Sequence, residues 1–494
     1  MCLEKIVEEK TLDLSSHHVV LGSGLSAIST IHGILDNCDL EDAEILVIDA
    51  SISKQLITKK ARTDAQFKMP SPKFKINTNR YVYENFRTFL NITSDGFYAI
   101  GSLAKGGLSN IWGGTIQPYS KQELSEYPYS YTEVKNIYSK IYKILTDVEI
   151  DFNELEEDFA SNGRFSLKKP LLAINDKNDD KNFCKLESCA TGCIYCNKNV
   201  FNSSSELDSF ISNDRIKYQS GLFVESIYQK KGHYLIKCIE VLTGKILIVK
   251  ANVIYCSLGA ISTAKLVLKM SNSTSSIPLL TTPGGAFFMF SFHKFHKLNH
   301  QILSSKAFKG EVEKKCFEGN IFPISENLLC TYFGEKLGRL AHKLFGPVLF
   351  SRIYIANIFF NSNLSSSSLL TINDEVKISA GINPDLKLIF SKALKLIKKE
   401  LNLEGLRVLP FGKKLLKPGQ DIHYGGLIPM KKVPQENQCD FNGELYGFKN
   451  FYIADSAAMP FLASKGHSFN SMVNAYYIAS KSVKRRNEET ALSR

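Results

Sequence analysis

Residues 17–27 read HHVVLGSGLSA. A short apolar run ending at Leu21 passes directly into a hexapeptide of the form G-x-G-x-x-A, with Gly22, Gly24 and Ala27 at the small positions. The residues from Ala27 on, AISTIHGIL, have helical spacing, and EILVIDA (Glu44 to Ala50) reads as a second buried strand, so a β-α-β unit is expected. Glycines at this turn let the backbone approach a pyrophosphate, which then rests on the N-terminus of the following helix. Asp49 ends the second strand, where a carboxylate can accept hydrogen bonds from a ribose. A glycine triplet alone is weak evidence. Between a strand and a helix, with an acid closing the next strand, it reads as a dinucleotide cradle.

The chain has 494 residues, more than one core usually accommodates, so two domains or one large composite are expected. A composition of 44% hydrophobic and 22% charged residues is that of a folded globular protein. The formal charge of +12 would suit nucleic acid, anionic lipid or an anionic substrate. The lysines are scattered, however, and the one dense run is KSVKRR (Lys481, Lys484, Arg485, Arg486). Such runs are usually solvated surface, and no nucleic-acid partner is expected.

The N-terminus, MCLEKIVEEK, has no apolar run behind its charges, so no signal peptide is expected. No stretch reaches the ~18 uninterrupted apolar residues of a membrane span. The nearest, LFGPVLFSRIYIANIFF (Leu344 to Phe360), is broken by Gly346, Pro347 and Arg352. It reads as buried core, with a peripheral membrane contact as the alternative. Eleven cysteines, an odd number, suggest a reducing compartment, and the cytoplasm is the default expectation.

Further strands are expected in IKYQSGLFVESIYQ, GHYLIKCIEVL and ILIVKANVIYCSLGA. Between about 281 and 414 the texture changes to Ser/Asn-rich turns, irregular apolar runs and one clear helix, DLKLIFSKALKLIKKEL (Asp385 to Leu401). After about 415, glycine-rich turns lead to the strand FYIAD and the helix SMVNAYYIASKSVKRR. The expected fold is α/β: a Rossmann-like cofactor domain assembled from 1–150, 200–280 and 415–494. An α+β substrate domain with a mostly antiparallel sheet interrupts it, formed by 151–199 and 281–414.

A second glycine-rich stretch, GGLSNIWGG (106–114), packs four glycines, a Ser109-Asn110 pair and the single tryptophan, Trp112, into nine positions. Four blocks now stand in order: GSGLSA, GGLSNIWGG, VIYCSLGAISTAKLVL, and the C-terminal pair HYGGLIPM with FYIADSAAMP. Together they resemble the glucose-methanol-choline (GMC) type of FAD-dependent oxidoreductase. The match spans both ends and the middle of the chain and leaves about 281–414 unassigned. The resemblance implies FAD as cofactor and a Rossmann-like FAD-binding domain.

It also implies that GGLSNIWGG passes the flavin ring and pyrophosphate. Gly106, Gly107, Gly113 and Gly114 would then allow close backbone approach. Ser109 and Asn110 would hydrogen-bond the ring's polar edge, and Trp112 would be a packing wall. No His or Cys sits beside this stretch, so the FAD is expected to bind without a covalent link. By the same resemblance Gly259 lies near the ADP portion, Val224 contacts adenine through its backbone, and Asp455 is a ligand to the ribityl chain. A plain strand-end cap is the other reading of Asp455.

GMC enzymes oxidise an alcohol carbon by removing the hydroxyl proton while hydride passes to flavin, which calls for a base near neutral pKa. His423 in DIHYGGLIPM matches the family's histidine at this step. For its partner, in MPFLASKGHSFNSMVNAYYIAS, counting forward from Asp455 favours His467 and counting backward from Ala479 favours Asn470. His467 is preferred because it falls in the loop rather than on the helix.

FCKLESCATGCIYCNKNVF carries Cys184, Cys189, Cys193 and Cys196. Their spacing matches neither zinc ribbons nor bacterial ferredoxins, so structural thiols are expected, with a metal or cluster as the weaker alternative. The expected substrate is a small-molecule alcohol or saccharide, for which the basic charge would suit a phosphorylated or lipid-linked form. Two rival readings are a flavoprotein reductase using the cysteine cluster and a catalytically inactive flavoprotein scaffold.

Overall fold

The computed structural model describes residues 14–38, 44–52, 81–83, 85–152, 165–174, 200–292, 306–323, 352–381 and 383–493, with single positions between 337 and 344. The four cysteines of 184–196, and residues 345–351 of the apolar LFGPVLF stretch, lie outside the described residues.

The first sheet grows from the Leu14–Leu21 strand, in which Val19, Val20 and Leu21 are fully buried. That is the mark of a parallel strand covered on both faces. It is flanked in parallel by Ile45–Asp49 and by Ile246–Cys256. Lys217–Ser220 extends the sheet beyond Ile45–Asp49, and Phe451–Ile453 joins the end of Ile246–Cys256, both again parallel. Leu222–Lys230 and His233–Glu240 add an antiparallel meander onto Ile246–Cys256. The parallel strands come from three distant parts of the chain, so this α/β unit is discontinuous. The helices Leu25–Leu35, Ala260–Met270 and Ser468–Ser493 bury apolar residues in the same core.

A second unit is built on the antiparallel strands Phe165–Lys168, Lys306–Val312, Lys315–Pro323, Ile353–Phe360, Gly284–Ser291 and Leu406–Val408. Residues alternate between its two faces. Phe287, Phe308, Phe317, Ile358 and Phe360 fall on one face and form a core with the helix Leu386–Leu403. That helix presents Leu386, Ile389, Phe390, Ala393, Leu394, Ile397 and Leu401 as a buried stripe. The apolar IYIANIFF is therefore a core strand of this unit.

A smaller sheet joins Ile92–Asp95, Glu375–Ser379, Ser367–Ile372, Ile277–Thr281 and Tyr424–Gly425. Leu369, Val376 and Ile378 pack into the first core. The sequence reading placed all of 281–414 in the second unit, but 367–379 packs with the first because its strands pair to Ile92–Asp95 and Ile277–Thr281. Among the described residues, no helix is long and apolar enough to cross a membrane.

Candidate active site

Gly22 holds a left-handed backbone (φ +100°), and a Cβ there would sit 2.5 Å from the Ser257 carbonyl oxygen. Only glycine fits that turn. Gly24 differs: with φ −77° it precedes the helix Leu25–Leu35, and a Cβ on it would meet no protein atom within 4 Å. Gly259, ahead of the helix Ala260–Met270, is likewise open. Both helix starts border one cavity of about 490 Å³. The first N–H groups of a helix lack intrahelical partners, so two such ends on one cleft suit a diphosphate. The open space at Gly24 and Gly259 is room a ligand can use, and a long dinucleotide fits it.

Asp49 borders the cavity at the end of its strand. Its Oδ2 accepts from Ser23 Oγ (2.6 Å) and Ser51 Oγ (2.8 Å), and burial pushes its carboxyl above the usual range. Val224 and Gly259 border the cavity as well. Asp455 does too, and its carboxylate caps two helical starts. Oδ2 accepts from Gly259 N (2.8 Å) and Thr263 Oγ1 (2.6 Å), and Oδ1 from Ala457 N (2.8 Å). Burial raises its carboxyl to about 6.

Within GGLSNIWGG, Gly107, Leu108 and Ser109 line the cavity, and a Cβ on Gly107 would lie 3.4 Å from Gly24 Cα. Gly106, Asn110, Gly113 and Ala27 are not part of that lining. The expected hydrogen bonds from Ser109 and Asn110 to a ring edge are not what these side chains make. Ser109 Oγ donates to Gly106 O and accepts from Ser203 N; Asn110 Nδ2 donates to the carbonyls of Lys105 and Gly107, and its Oδ1 accepts from Asn202. Their polar atoms are taken up in bracing the loop against the helix Ser203–Ser212. Trp112 is partly buried against the first core, its Nε1 donating to Phe201 O at 2.8 Å.

His467 also lines the cavity and stands beside His423, their rings 5.5 Å apart and nearly perpendicular. Nδ1 of His423 lies 3.6 Å from Asp421 Oδ2, and that oxygen accepts a hydrogen bond from Thr282 Oγ1 (2.9 Å). Burial drives the Asp421 carboxyl up to about 7. Phe359, from the second unit, meets the His423 ring edge-on at 4.9 Å. His467 is buried, its Nδ1 has no hydrogen-bond partner among the described residues, and burial lowers its pKa to about 4. It is neutral at pH 7.

Asn470 does not share this place. Its Oδ1 accepts from Tyr119 N (3.0 Å) and Tyr138 OH (3.2 Å), and its Nδ2 donates to Gln117 O (2.8 Å). Every polar atom is committed to tying its helix to residues 117–119, away from the cavity lining. Two site residues escaped the sequence reading. Asp421 was within the quoted DIH and could have been noticed as a carboxylate two residues before a candidate base. Phe359 carried no local signal. Among the described residues, no group of three or more His, Cys, Asp and Glu is placed to hold a metal.

No family model matches the sequence, and no curated protein is similar to it at the sequence level. Solved structures are similar in fold. Pyridoxine 4-oxidase from Mesorbium loti aligns at 12% identity over 94% of this chain and 98% of its own, with a TM-score of 0.60. Formate oxidase of Aspergillus oryzae, a protein with an FAD modification, aligns at 12% identity over 97% of this chain and 100% of its own, with a TM-score of 0.63. The chain has the glucose-methanol-choline oxidoreductase fold.

Proposed function

We propose that this protein is an FAD-dependent oxidoreductase that oxidises a CH–OH group, with His423 as the base and a sugar or sugar-derived alcohol as substrate. The observation that carries the reading is that one cavity runs from the Gly22–Gly24 turn to His467, where His423 waits with Asp421 behind it. Gly24, Gly259, Asp49 and Asp455 would hold the cofactor, noncovalently. Bound FAD would supply a hydride acceptor.

The remaining steps belong to the chain. Nδ1 of His423 is turned to Asp421 and Nε2 lies on the side of Gly466, where it would meet the substrate hydroxyl. His423 takes the hydroxyl proton there, and an ionised Asp421 stabilises the imidazolium that results. Neutral His467 orients the substrate oxygen by a hydrogen bond rather than by charge. The odd cysteine count supports a reducing, cytoplasmic setting.

The absorption spectrum of the purified protein tests the cofactor, and anaerobic bleaching by a panel of sugars and alcohols tests the chemistry. His423→Ala should keep the flavin and lose roughly 100-fold or more in reduction rate. A colourless protein that also fails to take up added FAD would overturn the reading, and an unchanged rate in His423→Ala would move the base elsewhere.

A further inference from the structure

The segment that follows GGLSNIWGG runs through the short strand Thr115–Ile116 into Gln117 and Pro118. Its backbone is fixed from several sides. Asn470 Nδ2 donates to Gln117 O (2.8 Å), Lys465 Nζ donates to Pro118 O (3.3 Å), and Tyr119 N donates to Tyr138 OH (3.0 Å). The buried Gln117 side chain is aimed by a separate contact: Gly466 N donates to its Oε1 at 3.1 Å. A backbone N–H pairs with the oxygen of an amide and not with its NH2, so this bond sets which end of Gln117 faces Gly466. Nε2 is the other end. It makes no hydrogen bond among the described residues, and unlike the buried Nδ1 of His467 it keeps accessible surface.

Gly466 lies between this amide and the base. A Cβ there would sit 3.3 Å from Gln117 Oε1 and 3.8 Å from His423 Nε2, with no heavy atom nearer outside its chain neighbours. Glycine therefore leaves a gap bordered by both groups, and the His423 side chain is 22% exposed, so a small molecule can reach it. A hydroxyl oxygen carries one proton and two lone pairs. His423 takes the proton and neutral His467 meets one lone pair. The second calls for another donor as negative charge develops on the oxygen. Ionised Asp421 is an acceptor only, and Phe359 is apolar. Gln117 is a neutral donor, and unlike a cation it does not depress the basicity of His423.

We infer that Gln117 Nε2 donates a hydrogen bond to the carbinol oxygen of the substrate and stabilises the charge gathering there as His423 takes the proton. This deepens the oxidoreductase reading and rests on it. Two substitutions separate a donor from a brace. Gln117→Met keeps the bulk and removes both polar atoms. Gln117→Glu keeps an oxygen for Gly466 N and puts a carboxylate oxygen where Nε2 stood; protonated in acid, that oxygen is a donor again. Anaerobic stopped-flow bleaching of the flavin-loaded protein by the panel of sugars and alcohols, D-glucose, glycerol and benzyl alcohol among them, is followed from pH 5 to 8, with a circular dichroism melt of each variant. Gln117→Met should lose roughly 100-fold in reduction rate throughout. Gln117→Glu should lose as much at pH 8, recover toward the wild-type rate at pH 5, and melt there near the wild type. A wild-type rate for Gln117→Glu at pH 8 would reduce the side chain to a brace for Gly466, and a wild-type rate in Gln117→Met would remove it altogether; either overturns the proposal. Should Gln117→Met fail to fold, Gln117→Glu alone decides. A flavin-loaded wild type that no member of the panel bleaches overturns the oxidoreductase reading, and this inference with it.

Discussion

Oδ2 of Asp421 stands 3.6 Å from Nδ1 of His423, in a buried place where that carboxyl is raised to about 7. Below pH 7 Asp421 is neutral and contributes little to the basicity of His423. Above pH 7 it is ionised and favours the imidazolium. At this separation the attraction is on the order of a few kcal/mol for an effective dielectric of about 20. Asp421→Asn should therefore slow flavin reduction roughly 10-fold or more above pH 7 and leave it nearly unchanged below pH 6. Stopped-flow bleaching across pH 5 to 9 measures this, and a ratio that stays flat with pH would remove Asp421 from the mechanism. Stability gives a second readout. A carboxyl raised on folding loses stability as pH rises from the ordinary carboxylate range to about 7, so Asp421→Asn should gain Tm at pH 8 relative to wild type.

The two glycines of the first turn should separate fold from cofactor. At Gly24 a side chain meets no protein atom, so Gly24→Val should stay folded but fail to retain FAD. At Gly22 a Cβ would press within 2.5 Å of Ser257 O on a left-handed backbone, so Gly22→Val should lose the fold itself. Circular dichroism with the flavin-to-protein absorbance ratio distinguishes them. Full FAD occupancy in folded Gly24→Val would mean that the pyrophosphate lies elsewhere.

His467 and Asn470 should fail differently. His467→Ala should slow the chemical step with little change in Tm. Because burial lowers its pKa to about 4, any ionisation lost from the pH profile should lie near 4. Asn470→Ala strands the partners of three hydrogen bonds and should cost about 1–3 kcal/mol of stability, with a near-normal rate in the molecules that remain folded. The reverse pattern, with Asn470 governing rate, would make that side chain the substrate's partner.

Lys465→Met should be among the most destabilising single substitutions near the site. It removes the cation between Glu123 and Glu318, and breaking a buried pair from one side costs about 3–5 kcal/mol. Glu123, which Lys465 helps to hold below the usual range, should then protonate more readily, so the deficit should shrink in acid. Denaturant melts at pH 5 and pH 8 provide the comparison, and equal losses at both would argue that Lys465 acts through packing alone.

What HHVVLGSGLSA, EILVIDA and DLKLIFSKALKLIKKEL determine alone is local. Strand, turn and helix follow from side-chain period and from glycine positions within a dozen residues, and each segment carries its own signal. That is why the β-α-β cradle, the discontinuous α/β plan and the helix on the second unit were legible from the residues. Tertiary structure alone decided where polar atoms spend their hydrogen bonds. Ser109 and Asn110 accept from residues near 203 because Ser203 N and Asn202 Nδ2 arrive there to donate. Asn470 is claimed by Tyr119 and Tyr138, which the local sequence does not reveal, and His467 is left facing His423. Glu318 meets Lys465, and Phe359 meets His423, only because strand register sets one face of a distant sheet against the histidine loops. A one-residue slip in that register would turn Glu318 and Phe359 into the apolar core instead.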